Sequence, residues 1–239
     1  MTIYKGKGMN NFFSEKFGSV EPNRITKERQ GRANLIYAYS PKAGRVAIFE
    51  SHLEYMSWLL IEFNPNVIEC CEQFPKVKFK IGSKINTYTF DAWVKYRDGS
   101  EECIEVKPVD KLIDCKGDKI PKNWLKFKEY FKRNNISKTC VTDEELKDKE
   151  VLLENYQTIL PYLSVDYSYS SRLKELLLDF INQTHKLKLG SVVDTFPEFS
   201  QTEVLTQLFK LFHRGKVMLS LNKSKLTLDT LVKGNTRYG

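Results

Sequence analysis

Apolar and polar residues alternate along two neighbouring stretches of the chain, which is the pattern of half-buried β-strands. The first stretch runs from Asn86 to Tyr96 and the second from Glu102 to Val106. Asp98-Gly99 between them is a residue pair typical of tight turns. The two stretches therefore predict a β-hairpin.

Charged residues recur on one side of this predicted hairpin. Successive side chains of a strand point to opposite faces, so Glu105 and Lys107 share one face while Val106 points into the core. In an antiparallel hairpin, the residue numbers of each facing pair add up to about the same value. Pairing around Asp98-Gly99 therefore places Asp91 close to the level of Glu105. This pattern predicts a cluster of two carboxylates and one amine. A surface hairpin with a charged outer face would show the same pattern, so that alternative stays open.

The elements around the hairpin predict a mixed α/β domain, because strands and helices alternate along the chain. An amphipathic helix is expected to begin after Ser51, and Glu54 three residues later completes a capping-box pattern. Glu54 could therefore serve only to cap this helix, or it could be a third carboxylate of the cluster. The other expected elements are strands at residues 34–39, 45–49, 67–79 and 138–142 and a helix at 124–131.

The C-terminal part has a different character. Residues 172–184, 190–196 and 201–213 predict three helices, and residues 216–221 and 225–231 predict a hairpin. Three helices followed by a hairpin indicate a mostly helical winged helix-turn-helix domain, whose third helix would read the major groove. The polar face of that helix mixes charge signs, so docking of a protein partner ranks slightly higher. The residues of this face are Gln201, Thr202, Glu203, Thr206, Gln207, Lys210 and Arg214. The candidates for phosphate contact are Lys210, Arg214, Lys216, Lys223 and Lys225.

Amino-acid composition indicates what kind of partner the protein binds and where in the cell it is located. A net charge of +8 favours a polyanionic partner such as DNA, although lysine-rich surfaces also occur in proteins that never bind DNA. The five cysteines lack a Cys-x-x-Cys spacing, which indicates free thiols. No secretory leader or membrane span is recognisable, so a cytoplasmic, DNA-associated protein without membrane contact is expected.

The carboxylate cluster favours one kind of chemistry. Hydrolysis of a phosphodiester needs a deprotonated water and positive charge beside the phosphorus as negative charge accumulates there. Mg²⁺ supplies both and prefers carboxylate and carbonyl oxygens as ligands. The cluster therefore favours Mg²⁺-dependent phosphodiester hydrolysis, in which Mn²⁺ is expected to substitute.

Five motifs follow one another along the chain: Ser51-His52-Leu53-Glu54, Asn64-Pro65-Asn66-Val67-Ile68, Glu72-Gln73-Phe74-Pro75, Thr89-Phe90-Asp91 and Glu105-Val106-Lys107-Pro108. In this order they resemble the TnsA endonuclease of transposons that also encode TnsB and TnsC. The resemblance covers residues 32 to 165. Phe90 stands where the general nuclease pattern often has proline, and Glu105 where some relatives have glutamine. Neither difference removes a needed group.

The resemblance implies a restriction-endonuclease-like mixed sheet flanked by helices. It also implies metal ligation by Glu54, Asp91, Glu105 and the backbone carbonyl of Val106, catalysis by these carboxylates with Lys107 as the amine, and a supporting role for Gln73. The expected domains are a basic arm at residues 1–31, a nuclease domain at 32–168 and the winged-helix domain at 169–239.

The function implied by the resemblance is a Mg²⁺-dependent endonuclease that nicks the 5′ (non-transferred) strand at transposon ends. The implied partners are those DNA ends, a TnsB-like transposase and a TnsC-like AAA+ ATPase. Two alternatives remain: a stand-alone restriction or repair nuclease, and a non-catalytic DNA-binding adaptor that uses the winged helix.

Overall fold

The structure of the protein is a computed structural model that describes residues 3–4, 35–81, 84–115, 118–122, 124–125, 132, 135, 137–165, 170–184 and 186–235. The chain divides into two units, Met1–Ile61 with Asn66–Asp148 and Glu62–Pro65 with Lys149–Gly239. This division falls between residues 148 and 149, whereas the sequence pattern places a boundary between 168 and 169. Apart from Ile3–Tyr4, the expected arm at residues 1–31 lies outside the described residues.

A mixed sheet organises the first unit. Its strands follow the order β11 (Ser137–Thr142), β8 (Glu101–Lys107), β7 (Ala92–Tyr96) and β4 (Val67–Glu72). Strand β11 is parallel to β8, and the other neighbours are antiparallel. The helices of this unit that the structure describes over their whole length are α1 (His52–Glu62) and α2 (Asp143–Lys147), and Val109–Lys111 forms a 3-10 turn. The strands described in this unit are β1 (Ile3–Tyr4), β2 (Ile36–Ser40), β3 (Arg45–Phe49), β4 (Val67–Glu72), β5 (Lys76–Ile81), β6 (Lys84–Thr89), β7 (Ala92–Tyr96), β8 (Glu101–Lys107), β9 (Ile113–Cys115), β10 (Asp118–Ile120) and β11 (Ser137–Thr142).

One face of this sheet carries a hydrophobic core. Ile104 and Val106 of β8 belong to it, together with Ile61, Val67, Cys70 and Val94. Because strand side chains alternate, Glu105 and Lys107 emerge on the opposite face. The predicted facing of β8 is therefore confirmed. The mixed α/β architecture is also confirmed, and a mixed sheet flanked by helices is compatible with a restriction-endonuclease-like fold.

The predicted hairpin is present as β7 and β8. Ala92 lies opposite Ile104 in the register, so the residue numbers of facing pairs sum to a constant value as expected. Gly99 has a φ of +83°, a left-handed conformation that glycine adopts without steric cost. Ser100 closes the turn by donating its backbone N–H to Asp98 Oδ1 at 2.9 Å. The local pattern was therefore sufficient to define this hairpin.

Two of the expected strands are each divided in the structure. The stretch from Asn86 to Tyr96 forms β6 and β7, which belong to different sheets, and the break lies at Phe90 and Asp91. The stretch 67–79 is likewise divided into β4 and β5, with Gln73 at a φ of +49°. The two breaks are joined, because the Gln73 N–H donates to the Asp91 carbonyl at 2.8 Å and the Phe90 N–H to the Pro75 carbonyl at 3.2 Å. A single continuous strand was wrong in both places because strand pairing changes at these residues.

The second unit contains the three expected helices and a small sheet. The elements described in this unit are α3 (Glu150–Ile159), a 3-10 turn at Leu160–Ser164, α4 (Ser170–Gln183), β12 (Leu187–Lys188), α5 (Leu189–Thr195), α6 (Gln201–His213), β13 (Val217–Leu219) and β14 (Leu231–Gly234). Strand β14 lies between β12 and β13 and pairs antiparallel with both. The C-terminal end of β14 packs closely on α4, since a Cβ placed on Gly234 would lie 2.6 Å from Asn182 Oδ1. No helix in the described part of the chain is both long and apolar enough to cross a membrane.

The C-terminal hairpin differs from the expected one. The second strand begins at Leu231 instead of residue 225, and the first ends at Leu219. The buried side chain of Asn155 explains the difference, since its Nδ2 donates to the carbonyls of Leu221 and Ser224 at 2.8 Å. Its Oδ1 accepts the N–H of Leu226 at 2.7 Å. These bonds hold the connecting segment against α3 and keep its backbone out of the strand ladder. They also explain why α3 belongs to the second unit.

The central residues of helix α6, from Val204 to Phe209, are all buried. Thr206 and Gln207, expected on its polar face, are 0% and 4% exposed. The residues of this helix that reach solvent freely are Gln201 and Thr202 in its first turn. The expected polar face is therefore wrong at its centre, because packing covers both sides of the helix there. Most of the other expected helix, at residues 124–131, lies outside the described part of the chain.

Candidate active site

Asp91 lies where the chain passes from one sheet to another, next to the start of β7. Its Oδ2 accepts the backbone N–H of Val106 at 2.7 Å, which fixes the carboxylate against β8. The same oxygen lies 3.4 Å from Lys107 Nζ. The expected closeness of Asp91 to the Glu105 to Lys107 segment is confirmed at atomic distances.

Glu105 is buried on the same face as Lys107. Its Oε1 lies 2.7 Å from Lys107 Nζ, and the Tyr88 hydroxyl also hydrogen-bonds this carboxylate. Its Oε2 is buried and has no hydrogen-bond partner among the described residues. A buried carboxylate oxygen without a donor is costly, so this atom is the most conspicuous unsatisfied group of the site.

Glu54 joins the cluster from the first turn of α1. Its carboxylate performs the expected capping role, accepting the Ser51 hydroxyl at 3.0 Å and the Glu50 N–H at 3.1 Å. It also accepts Gln73 Nε2 at 3.1 Å. Burial, followed by the nearby charge of Asp91, raises the pKa of Glu54. Capping and membership of the cluster are therefore compatible roles of one side chain.

Gln73 connects the two halves of the site. Its side chain donates to Glu54 and its backbone N–H to the Asp91 carbonyl, so one residue ties α1 to the start of β7. The preceding residue, Glu72, is buried and forms a bidentate pair with Arg45 at 2.5 and 2.6 Å. Arg45 and Glu72 thus hold the end of β4 from which Gln73 departs.

Two further residues border the cluster and were missed in the sequence pattern. Tyr88 belongs to β6, and its ring packs edge to face against Phe90 at 5.1 Å. Cys140 lies opposite Glu105 in the parallel pairing of β11 with β8. Burial and then the charge of Glu105 raise the pKa of the Cys140 thiol to about 11, so this thiol is not activated as a nucleophile. Both positions depend on non-local strand pairing, and no local motif marks them.

The charges of the cluster influence one another. Burial and then Asp91 raise the pKa of Glu105 to about 7, against the opposing effect of the Lys107 ammonium. Burial disfavours the Lys107 ammonium, but Asp91 and Glu105 outweigh that effect, so the pKa of Lys107 is raised. The raised pKa of Lys107 keeps its ammonium charged at neutral pH, and the raised pKa of Glu105 makes this carboxyl easier to protonate than an exposed glutamate.

The oxygens that converge here are of the kind that hard cations prefer. Lys107 Nζ is contacted by Glu105 Oε1, Asp91 Oδ2 and, at 3.1 Å, the carbonyl oxygen of Val106. A positively charged nitrogen thus lies among carboxylate and carbonyl oxygens, which together with the unsatisfied Glu105 Oε2 fit a hard divalent cation. Among the described residues, no group of three or more His, Cys, Asp or Glu side chains is arranged to hold a metal ion. Glu54 is consequently not part of a ready-made three-carboxylate ligand set.

The C-terminal basic residues named from the sequence do not share one environment. Lys210 donates to the carbonyl of Val165, and Lys225 lies 3.2 Å from Glu154 Oε2. Lys216 is half-buried, and Arg214 is exposed at the end of α6. Lys223 lines a groove of about 500 Å³, bordered also by Lys186 and Lys233, which were missed.

Comparison with protein families identifies the segment that carries this site. Residues 64–143 match the family described as TnsA-like endonuclease N terminal. The match includes Gln73, Asp91, Glu105 and Lys107, and it begins after Glu54. The resemblance to a TnsA-like endonuclease is thereby confirmed for this segment. No curated protein matches the chain.

Proposed function

We propose that this chain, whose residues 64–143 are TnsA-like, is a Mg²⁺-dependent DNA endonuclease of a cut-and-paste transposition system. In this proposal it nicks the 5′ (non-transferred) strand at the transposon ends. A TnsB-like transposase makes the other cuts, and a TnsC-like AAA+ ATPase belongs to the same assembly. The family match supports the nuclease class, and the resemblance of the motifs supports the finer role.

One observation carries the proposal. Within the matched segment, Asp91 just before β7 and Glu105 of the neighbouring strand β8 meet at the Lys107 amine, at 3.4 and 2.7 Å. Two carboxylates can hold a hard cation that activates water, and a charged amine beside them can offset negative charge on a phosphodiester. A merely charged hairpin surface would leave its carboxylates in water, whereas Glu105 is 1% exposed.

The proposed roles follow from the chemistry of each group. Asp91, Glu105 and the Val106 carbonyl would hold Mg²⁺, with Mn²⁺ as a substitute. Glu54, which is not pre-arranged as a ligand, would have to move to join them as the third carboxylate. When bound, the ion supplies a water of lowered pKa and positive charge beside the phosphate. Lys107 is proposed to orient that water and to offset negative charge on the phosphate oxygens. Gln73 would hold Glu54 and Asp91 in their relative positions.

The second unit is proposed to serve partner or DNA contact. Its order of three helices, with β14 pairing to β12 and β13, supports the winged-helix assignment. The burial of Thr206 and Gln207 on α6 favours a protein partner over reading of the major groove. The groove beside Lys186, Lys223 and Lys233 also has an apolar lining that includes Met218 and Leu221, which suits a protein segment that carries acidic and apolar side chains.

Strand-specific cleavage tests the proposed function. The purified chain is incubated with DNA that carries the transposon ends, with and without the TnsB-like and TnsC-like proteins, in Mg²⁺ or in EDTA. We expect 5′-strand nicks only with Mg²⁺ and partners. Efficient site-specific cutting by the isolated chain would favour the stand-alone nuclease, and DNA binding without metal-dependent cutting under any condition would favour the adaptor.

The pH dependence of cleavage is expected to follow the Glu105 carboxyl. A cation ligand must be ionised, and the pKa of Glu105 is raised to about 7. Below saturation with Mg²⁺, the cleavage rate should rise about tenfold between pH 6 and pH 8, as the ionised fraction does for a group with this pKa. Single-turnover rates across this range measure it. A rate that is flat from pH 6 to pH 8 would contradict the expectation.

The same carboxyl predicts the opposite trend for metal-free stability. A pKa raised from 4.5 to about 7 means that the folded protein binds this proton more tightly than the unfolded chain. The stabilising contribution of the protonated form is therefore lost as pH rises through this interval. Urea unfolding in EDTA should show that Glu105→Gln removes this part of the pH dependence.

A further inference from the structure

The Lys107 ammonium uses all of its donor capacity inside the cluster. It has three N–H groups, and its Nζ lies 2.7 Å from Glu105 Oε1, 3.1 Å from the Val106 carbonyl oxygen and 3.4 Å from Asp91 Oδ2. They belong to the three groups to which the proposed function assigns the cation, which would also use the unsatisfied Glu105 Oε2. The amine and the cation therefore share ligands.

Both positive charges cannot use these oxygens at once. Mg²⁺ binds oxygen at about 2.0–2.1 Å. An ammonium held by the same atoms would lie within a few ångströms of the ion, where like charges repel strongly. Lys107 has a long, flexible side chain that is 37% exposed, so it can turn towards solvent without disturbing the core.

We propose that Lys107 is a built-in counter-ion that occupies the cation position, and that a divalent cation binds only by displacing its ammonium group. The displaced amine remains tethered beside the site, where the proposed function requires it. This proposal rests on the proposed function for the identity of the ligand oxygens. If the cation must displace Lys107, the free energy of metal binding includes the unfavourable free energy of moving this side chain away.

Titration of the full chain with Mn²⁺ by calorimetry, at low ionic strength and without DNA, tests this competition. Lys107→Met removes the ammonium and keeps most of the side-chain length, so we expect about tenfold tighter Mn²⁺ binding or more. Lys111→Met removes an equal charge nearby, from an exposed side chain paired with Asp110, and should leave the affinity nearly unchanged. Glu105→Gln should abolish the binding that Lys107→Met strengthens.

A second measurement observes the amine itself. With lysine-selective ¹³C labelling, the Lys107 Cε resonance, assigned by its absence in Lys107→Met, should shift on addition of Mg²⁺ while the Lys111 signal stays in place. Equal or weaker Mn²⁺ binding by Lys107→Met, or a Lys107 signal that does not respond to saturating Mg²⁺, would overturn the counter-ion proposal while leaving the nuclease proposal intact. Failure of both proteins to bind Mn²⁺ would overturn both.

Discussion

Asp91→Asn is expected to lower metal-dependent cleavage by roughly 10²- to 10³-fold, because it removes a negative charge that faces both Lys107 and the proposed cation. Asparagine has nearly the shape of aspartate and keeps an oxygen that accepts the Val106 N–H, now bonded at 2.7 Å. The fold should therefore persist, with a stability change of about 1 kcal/mol or less. Single-turnover nicking of labelled end DNA at saturating Mg²⁺ and partner protein measures the loss.

Asp98→Asn is the matched control for this substitution. Asp98 lies in the turn of the same hairpin and is exposed, so the change removes the same charge outside the cluster. It should leave the cleavage rate nearly unchanged. If the Asp91→Asn protein has the thermal stability of the unchanged protein and cuts at its rate, the assignment of Asp91 to the active site is wrong.

The position of Asp91 shows what local sequence can predict. Alternation of side chains along β8 and the Asp98-Gly99 turn define the register of the hairpin. The register alone places Asp91 beside Glu105, and the alternation places Lys107 on the same face. No long-range contact is needed for that part of the site.

Other parts of the site depend on pairings that a local pattern does not encode. Tyr88 reaches Glu105 because β6 leaves the main sheet and pairs with β5. Cys140 lies beside Glu105 because β11 adds to β8 in parallel across a long connection. The breaks at Gln73 and Asp91 interrupt patterns that predict continuous strands. Their cause is not local, because the Gln73 N–H donates to the carbonyl of Asp91 on the other stretch.

The second unit illustrates the same limit. Helical periodicity predicts α4, α5 and α6 because each has an apolar side, but periodicity does not state how many sides packing will cover. The buried positions of Thr206 and Gln207 follow from that packing. Likewise, the strand expected at residues 225–231 starts late because Asn155, far away in sequence, binds the connecting segment.

Arg45→Met is expected to destabilise the protein by about 3 kcal/mol, because it leaves the Glu72 carboxylate buried without its counter-ion. Glu72 is 6% exposed, and both of its oxygens are held by Arg45 at 2.5 and 2.6 Å. The Ile48 N–H also donates to this carboxylate, but at a longer distance of 3.4 Å. Urea unfolding of the full chain measures the effect. Cleavage should also fall, since Glu72 precedes Gln73, which holds Glu54 and the Asp91 backbone.

A second substitution separates loss of the ion pair from loss of packing. In Arg45→Met with Glu72→Gln, no buried charge is left unpaired, so the double variant should be more stable than Arg45→Met alone. Arg97→Met removes an equal charge from an exposed position in the β7–β8 turn and should have little effect. If the double variant is as unstable as Arg45→Met, the guanidinium stabilises the end of β4 through packing, and the ion pair with Glu72 is not the source of that stability. Recovery of stability without recovery of cleavage would instead show that the charged pair itself is needed to orient Gln73.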